Sequence, residues 1–194
     1  MRLTTTRLAI PEVVLLEHEA FEDDRGYFME VYKRDQFREL GLPELFVQFN
    51  ESRSAGDVIR GLHFQWEPPM GKLMRVAEGA AFLVAVDIRH DSPTLGEWVG
   101  ETITAENRLQ LWAPAGFARG LCALTDKTRV QYLCTGSYNG KAESGILWND
   151  PEIGISWPVL DPRLSSKDQS AQTLRDWLAR PEAKSFSVSS QQAA

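Results

Sequence analysis

Histidine is scarce in this sequence. The 194 residues hold only His18, His63 and His90; no two of them form a close-spaced pair, and His18 and His90 sit in charged, surface-like segments. A transition-metal site draws on two or three imidazoles with a carboxylate, so a resident catalytic metal is not expected. Cysteine is nearly absent as well, with only Cys122 and Cys134, both in apolar runs. One disulfide is unnecessary in a chain of this size, and the pair reads as reduced core thiols of a cytoplasmic protein. No stretch approaches the ~20 apolar residues that span a bilayer. The run 8–16 is broken by Pro11 and Glu12 and no small-residue cleavage site follows, so a signal peptide is not expected either. Basic excess is missing too. A net charge of -6 lacks the footprint of nonspecific nucleic-acid binding, yet a few local arginines could still hold an anionic small molecule. There is no Gly-x-Ser-x-Gly elbow for a serine nucleophile, and Cys122 has no cationic neighbour in sequence.

What the chain does have is 43% hydrophobic content laid out in short alternating runs, enough for one sizeable core. Runs at 13–16, 46–52, 59–65, 73–76, 79–89, 98–104, 109–114, 116–124 and 130–138 read as strands, the first of them at a sheet edge. A polar turn around Arg25 and Gly26 opens another. Gly, Pro, Asn and Asp punctuate them at regular spacing. The strongest is AFLVAVDIR within 79–89, with Phe82, Val84, Val86 and Ile88 on one face. Helix is limited to 33–42 and 172–180, the latter with Leu174, Trp177 and Leu178 on one stripe. The segment 140–162 reads as irregular and 185–194 as a frayed tail. The pattern predicts an all-β chain, a jelly-roll (cupin-like) β-barrel or sandwich with short flanking helices, in a single domain over 1–194.

The stretch 58–76, VIRGLHFQWEPPMGKLMRV, concentrates the chemistry. Pro68 and Pro69 force a loop between two strands and place His63 and Lys72 on either side of it. A base beside a cation on a β scaffold can take a proton next to a carbonyl and hold the oxyanion. Taken alone, a histidine on a mostly apolar strand is more often a hydrogen-bonded core residue. Arg60 and His63 differ by an odd number and would face opposite ways on a flat strand. A bulge at Gly61 would bring both to one face. In 46–52, FVQFNES, the amides Gln48 and Asn50 alternate with Val47 and Phe49, as in a strand that meets solvent or lines a polar cavity. Acid–base work by His63, a tyrosine such as Tyr132, and a cation is what remains, with Arg25, Arg60 and Arg119 as candidate clamps for a phosphorylated ligand.

Those residues sit in motifs that together resemble the dTDP-4-dehydrorhamnose 3,5-epimerase family. The matching pieces are FEDDRGYFME, VQFNES, RGLHFQ, the GKL that contains Lys72, VDIRHDSPTLGEW, the turn 113–120, YLCTGSYN, WNDPEIGISWP and LSSKDQ. They follow the family's order from Phe21 to Asp168. The resemblance implies a jelly-roll homodimer that acts on a nucleotide-diphosphate 4-keto-6-deoxy sugar with no cofactor. It implies His63 as base, held by Asp168, with Tyr132 as the acid on the opposite face and Lys72 near the keto oxygen. Arg25, Phe28, Glu30, Gln48, Phe49 and Asn50 match ligand-contacting positions, some supplied by the partner subunit. Arg60 matches a diphosphate contact, Tyr138 the residue that stacks on the nucleobase, and Glu143 and Lys167 further substrate contacts.

Two positions depart from the family. Arg119 stands where it usually has histidine, and Leu83 where it usually has aspartate, two residues that would form a pair. Arg119 can still bind phosphate and stays charged at neutral pH. The departures keep open a relative that inverts a single carbon, or one that uses a CDP- or GDP-sugar. A catalytically silent sugar-nucleotide binder on the same scaffold is the alternative from another class.

Overall fold

The computed structural model describes residues 1–188. Among them, six antiparallel strands form one sheet in the order β1 (Leu3–Arg7), β2 (Val14–His18), β10 (Gln110–Ala113), β7 (Lys72–Glu78), β12 (Thr128–Cys134) and β5 (Gln48–Ser54). Five more form a second antiparallel sheet, β13 (Glu143–Gly145), β6 (Ile59–Gln65), β11 (Phe117–Ala123), β8 (Ala80–Asp87) and β9 (Trp98–Thr104). The hairpin β3 (Ala20–Asp23)–β4 (Gly26–Met29) forms a two-stranded sheet of its own. The sheets face each other as in a jelly roll, which is the predicted fold class.

Alternation along the strands decides what lies between the sheets. Met74, Val76 and Val130 from the six-stranded sheet meet Ala81, Leu83, Ala85, Phe117 and Leu121 from the other. The opposite face of the five-stranded sheet is also apolar, and it packs under the C-terminal segment. There Leu62, Phe64, Val84, Val86 and Ile88 meet Leu174, Trp177, Ala183 and Phe186. Hence β8 is buried on both faces, and its two alternating residue sets serve two cores. A third core lies outside the six-stranded sheet, where α1 (Arg34–Glu39) brings Phe37 onto Val14, Leu16, Leu73 and Trp112.

Several expectations are corrected. The run 13–16 is not an edge, because β1, which sequence reading missed, covers it. The 140–162 segment contains β13, paired with β6. The helix at 172–180 is shorter, α3 (Leu174–Leu178), with a reciprocal Thr173–Asp176 cap. A one-turn helix, α2 (Ser166–Gln169), was not foreseen. The C-terminal segment is not frayed from 185: Phe186 is fully buried against Phe64 and Trp177, while 189–194 lie outside the described residues. His18 is not on the surface. It is buried on β2, and burial pushes its pKa down.

Candidate active site

The site lies between the two sheets, with one wall from each. On β7 and β12 the inward residues are Lys72 and Met74 opposite Cys134 and Tyr132. On the facing sheet, β11 pairs with β6 so that Arg119 stands opposite His63 and Leu121 opposite Arg60. One β11 residue, Gly120, spans the interval that two β6 residues, Gly61 and Leu62, occupy, which is a bulge. The expected bulge is therefore present, and it puts Arg60 and His63 on one face. Gly61 has φ +118°, and a Cβ there would meet the Arg119 carbonyl oxygen at 2.7 Å and the Gly120 Cα at 2.8 Å. Only glycine fits this position. Gly71, just before Lys72, is equally constrained, because a Cβ would collide with the Trp112 indole.

Two cavity lobes, of about 160 Å³ and 130 Å³, meet at His63, Lys72, Arg119 and Tyr132. Ser52, Arg60, Met74 and Val130 help line the first lobe. Gln48, Asn50, Gln65, Tyr138 and Glu143 help line the second. The amide strand of the sequence thus lines a polar cavity. The Gln48 carbonyl oxygen accepts from the Tyr138 backbone N–H at 2.8 Å, and its amide donates to Asn50 at 3.1 Å.

His63 is held from outside the sheet. Its Nε2 lies 2.6 Å from Asp168 Oδ1, across 105 positions of sequence. The second carboxylate oxygen accepts from the Ser165 hydroxyl at 2.7 Å, and Ser165 in turn caps α2 by accepting from the Asp168 backbone N–H. Burial pushes the Asp168 carboxyl up, but the hydrogen bonds from His63 and Ser165 outweigh it and the pKa falls. An ionised carboxylate on Nε2 requires the proton there, which leaves Nδ1 with the lone pair of a base. Sequence reading did not single out Ser165, although Ser-x-x-Asp spacing is an N-cap signal.

Lys72 is the second titratable group of the floor. Burial, and then the neighbouring charge of Arg119, lower its pKa to about 8. Its Nζ lies 5.0 Å from the centre of the Tyr132 ring. The Tyr132 phenol is pushed up, first by burial. Burial also pushes the Cys134 thiol up, and Asn50 donates to its sulfur at 3.8 Å. Both cysteines are free and buried, as expected of core thiols, but Cys134 lies beside the site.

At the mouth, Glu143 holds two partners. Lys167 Nζ lies 2.5 Å from one carboxylate oxygen and the Tyr138 hydroxyl donates to the other at 2.9 Å. Arg60 is anchored by donating to the Ser54 hydroxyl at 2.9 Å. The remaining sequence candidates lie outside the cleft of their own chain. Arg25 is exposed at the β3–β4 turn, paired with Asp23. Phe28, 67% exposed, is on the same hairpin, and Glu30 follows it beside the chain's amino group. Phe49, 60% exposed, is on the outer face of β5. Among the described residues no three His, Cys, Asp or Glu side chains gather as a metal site, and no helix is long and apolar enough to cross a membrane.

Comparison with known proteins matches the chain to one family. Residues 7–176 fit the family model described as dTDP-4-dehydrorhamnose 3,5-epimerase. The enzyme of that name from Pseudomonas aeruginosa is 48% identical over 176 residues, covering 90% of this chain and 97% of that protein. Its counterpart from Neisseria gonorrhoeae is 49% identical over 166 residues, covering 85% of this chain, which spans about half of that longer relative (51%). Among solved structures, the dTDP-6-deoxy-D-glucose-3,5-epimerase of Legionella pneumophila, in complex with dTDP-4-keto-L-rhamnose, superposes with a TM-score of 0.89. It is 39% identical, covering 94% of this chain and 97% of that one. On sequence and fold together, the chain belongs to the dTDP-4-dehydrorhamnose 3,5-epimerase family, a family of isomerases.

Proposed function

We propose that this chain inverts C3 and C5 of dTDP-4-dehydro-6-deoxy-D-glucose, giving dTDP-4-dehydro-L-rhamnose, with no cofactor. The observation that carries the reading is a carboxylate-held imidazole on one wall of the cleft facing a tyrosine on the other, with the Lys72 ammonium beside the tyrosine ring. The C4 ketone acidifies the C–H bonds on either side. His63 takes the proton, the C–H electron pair becomes the enolate double bond, and the carbonyl pair moves to the C4 oxygen. Lys72 offsets that negative charge, an effect worth ~3 kcal/mol per donor in a dry site. Tyr132 returns a proton to the opposite face, which inverts the carbon; His63 then releases its proton to solvent and the tyrosinate takes one back, so the pair is reset for the second carbon. The diphosphate lies toward Arg60, and Tyr138 stacks on the nucleobase beside Glu143 and Lys167.

The chain works as a single cytoplasmic domain and as a homodimer. Support for the dimer comes from the β3–β4 hairpin, whose Phe21, Tyr27 and Phe28 are exposed, and from Val47 and Phe49 exposed on β5. In this arrangement the hairpin carries Arg25, Phe28 and Glu30 to the partner's cleft. Incubation with the keto sugar in deuterated buffer tests the chemistry. Label at both carbons is expected, and His63→Ala is expected to lose exchange while staying folded. Label at one carbon would establish the single-carbon reading that Arg119 and Leu83 keep open. Binding without exchange would leave only a nucleotide-sugar binder.

A further inference from the structure

Arg119 is the residue whose setting the reaction just described does not use. It lies on β11 directly opposite His63, it is 4% exposed, and it lines both lobes of the cleft. Its Nη1 donates to the carbonyl oxygens of Met70 at 2.7 Å and Pro114 at 3.1 Å, which locks the guanidinium plane in place. Its Nε is buried with no partner. Across the ladder on β8 it faces Ala85, which offers it no counter-charge. Leu83 shares the inward face of the same sheet, one strand over, opposite Leu121, and packs in the apolar core. The charge of Arg119 is felt by Lys72, which is held close by the same loop, since Met70 and Lys72 are two residues apart. Two cations therefore share the floor, and the carboxylate that Lys72 feels there, Glu143, already holds Lys167 and the Tyr138 hydroxyl. An arriving or developing anion relieves that repulsion.

We propose that Arg119 is a second oxyanion donor, a catalytic residue that acts on the C4 oxygen beside Lys72, and not a clamp for the diphosphate. This rests on the epimerase reading above. The depth decides between the two roles. Arg119 stands where the lobes meet, level with the base, and its tether to two backbone carbonyls keeps it from following a phosphate toward Arg60 at the open side. When His63 removes the proton, the pair arriving on the C4 oxygen meets two fixed positive charges. When Tyr132 reprotonates carbon the pair returns and the carbonyl re-forms, so neither cation has to give up a proton.

The two roles separate in the kinetics of Arg119→Gln. Free dTDP carries the diphosphate but no ketone, so its affinity reports the clamp and kcat reports the oxyanion. An oxyanion donor predicts a fall in kcat of about 100-fold with the Kd for dTDP within about twofold of wild type. Loss of dTDP affinity, or an unchanged kcat, would overturn the assignment. Should Arg119→Gln fail to fold, Arg119→Met removes the charge at similar length. A fall confined to kcat then supports the assignment, and a fall in dTDP affinity or no fall at all overturns it. Deuterium exchange by the wild-type chain is measured alongside. Its absence sinks the epimerase reading itself, whereas its presence with full kcat in the variant sinks only the role of Arg119.

Discussion

Replacing Lys72 by methionine is expected to make the protein more stable and inactive at the same time. Lys72 is half-buried, and its pKa is lowered from 10.5 to about 8, first by withdrawal from solvent and then by Arg119. At 1.36 kcal/mol per pH unit, holding that charge in the fold costs about 3 kcal/mol as an upper figure. Methionine has similar length and no charge to desolvate. It forfeits the contact with the Tyr132 ring, worth about 1–2 kcal/mol. A net gain of about 1–2 kcal/mol remains, or about 2–8 °C in Tm for a chain of this size. The sign with pH follows from the direction of the shift. Between about 8 and 10.5 the unfolded chain holds the lysine proton and the folded chain does not, so wild-type stability rises through that window. The cost is fully present below pH 8 and gone above 10.5. Thermal melts of both proteins at pH 7 and near pH 10.5 are the assay: the advantage of Lys72→Met should be present at the first and absent at the second. A variant less stable than wild type at pH 7, or a difference that ignores pH, would refute the reasoning. Exchange of the wild type should fall on the alkaline side with a midpoint near 8, as the ammonium is lost.

Other perturbations separate geometry from chemistry. Gly61→Ala places a Cβ on the Arg119 carbonyl at a φ that alanine rarely adopts, and is expected to cost about 2–5 kcal/mol and most exchange, checked by denaturant unfolding and label incorporation. Asp168→Asn keeps the shape but removes the charge that fixes the His63 tautomer. A fall in kcat of about 100-fold or more, with the dTDP affinity held, is expected from steady-state kinetics and calorimetry. Trp177→Ala empties the core between Phe64 and Phe186 and should lower stability by about 3–5 kcal/mol without touching the cleft, so that kcat survives at temperatures where the variant is folded.

Much of the scaffold was legible because its signals are local. Alternation marks β5, β6 and β8, and Pro68 and Pro69 mark the loop that separates His63 from Lys72. The odd spacing of Arg60 and His63 around Gly61 points to a bulge if the two are to share a face, and the structure contains it. What failed was non-local. β13 is three residues long and exists only because β6 has an open edge to pair with. Phe186 reads as part of a polar tail until Trp177 and Phe64 are seen to form its pocket. His18 looks exposed beside Glu17 and Glu19, but alternation turns it inward on β2. The contact between His63 and Asp168 spans 105 residues, and no local pattern predicts it. Only the resemblance of the whole motif set placed Asp168 there.

The arrangement of the walls explains why Arg119 and Leu83 bear on the electrostatics of the cleft and leave its geometry alone. Inversion needs a base on one side of the sugar ring and an acid on the other. A sandwich interior offers two facing walls, with His63 on β6 and Tyr132 on β12. Neither placement depends on position 83 or 119. The backbone pairing of β11 with β6 and β8 continues through Arg119, and the loop carbonyls of Met70 and Pro114 take the place of a side-chain partner. A carboxylate at position 83 would neutralise part of the floor, raise the proton affinity of Lys72 and move the alkaline limit of activity upward. Leucine there does the reverse. Burial and Arg119 hold the Lys72 pKa down at about 8, and an enolate oxygen is the anion that the proposed chemistry would bring to these two cations.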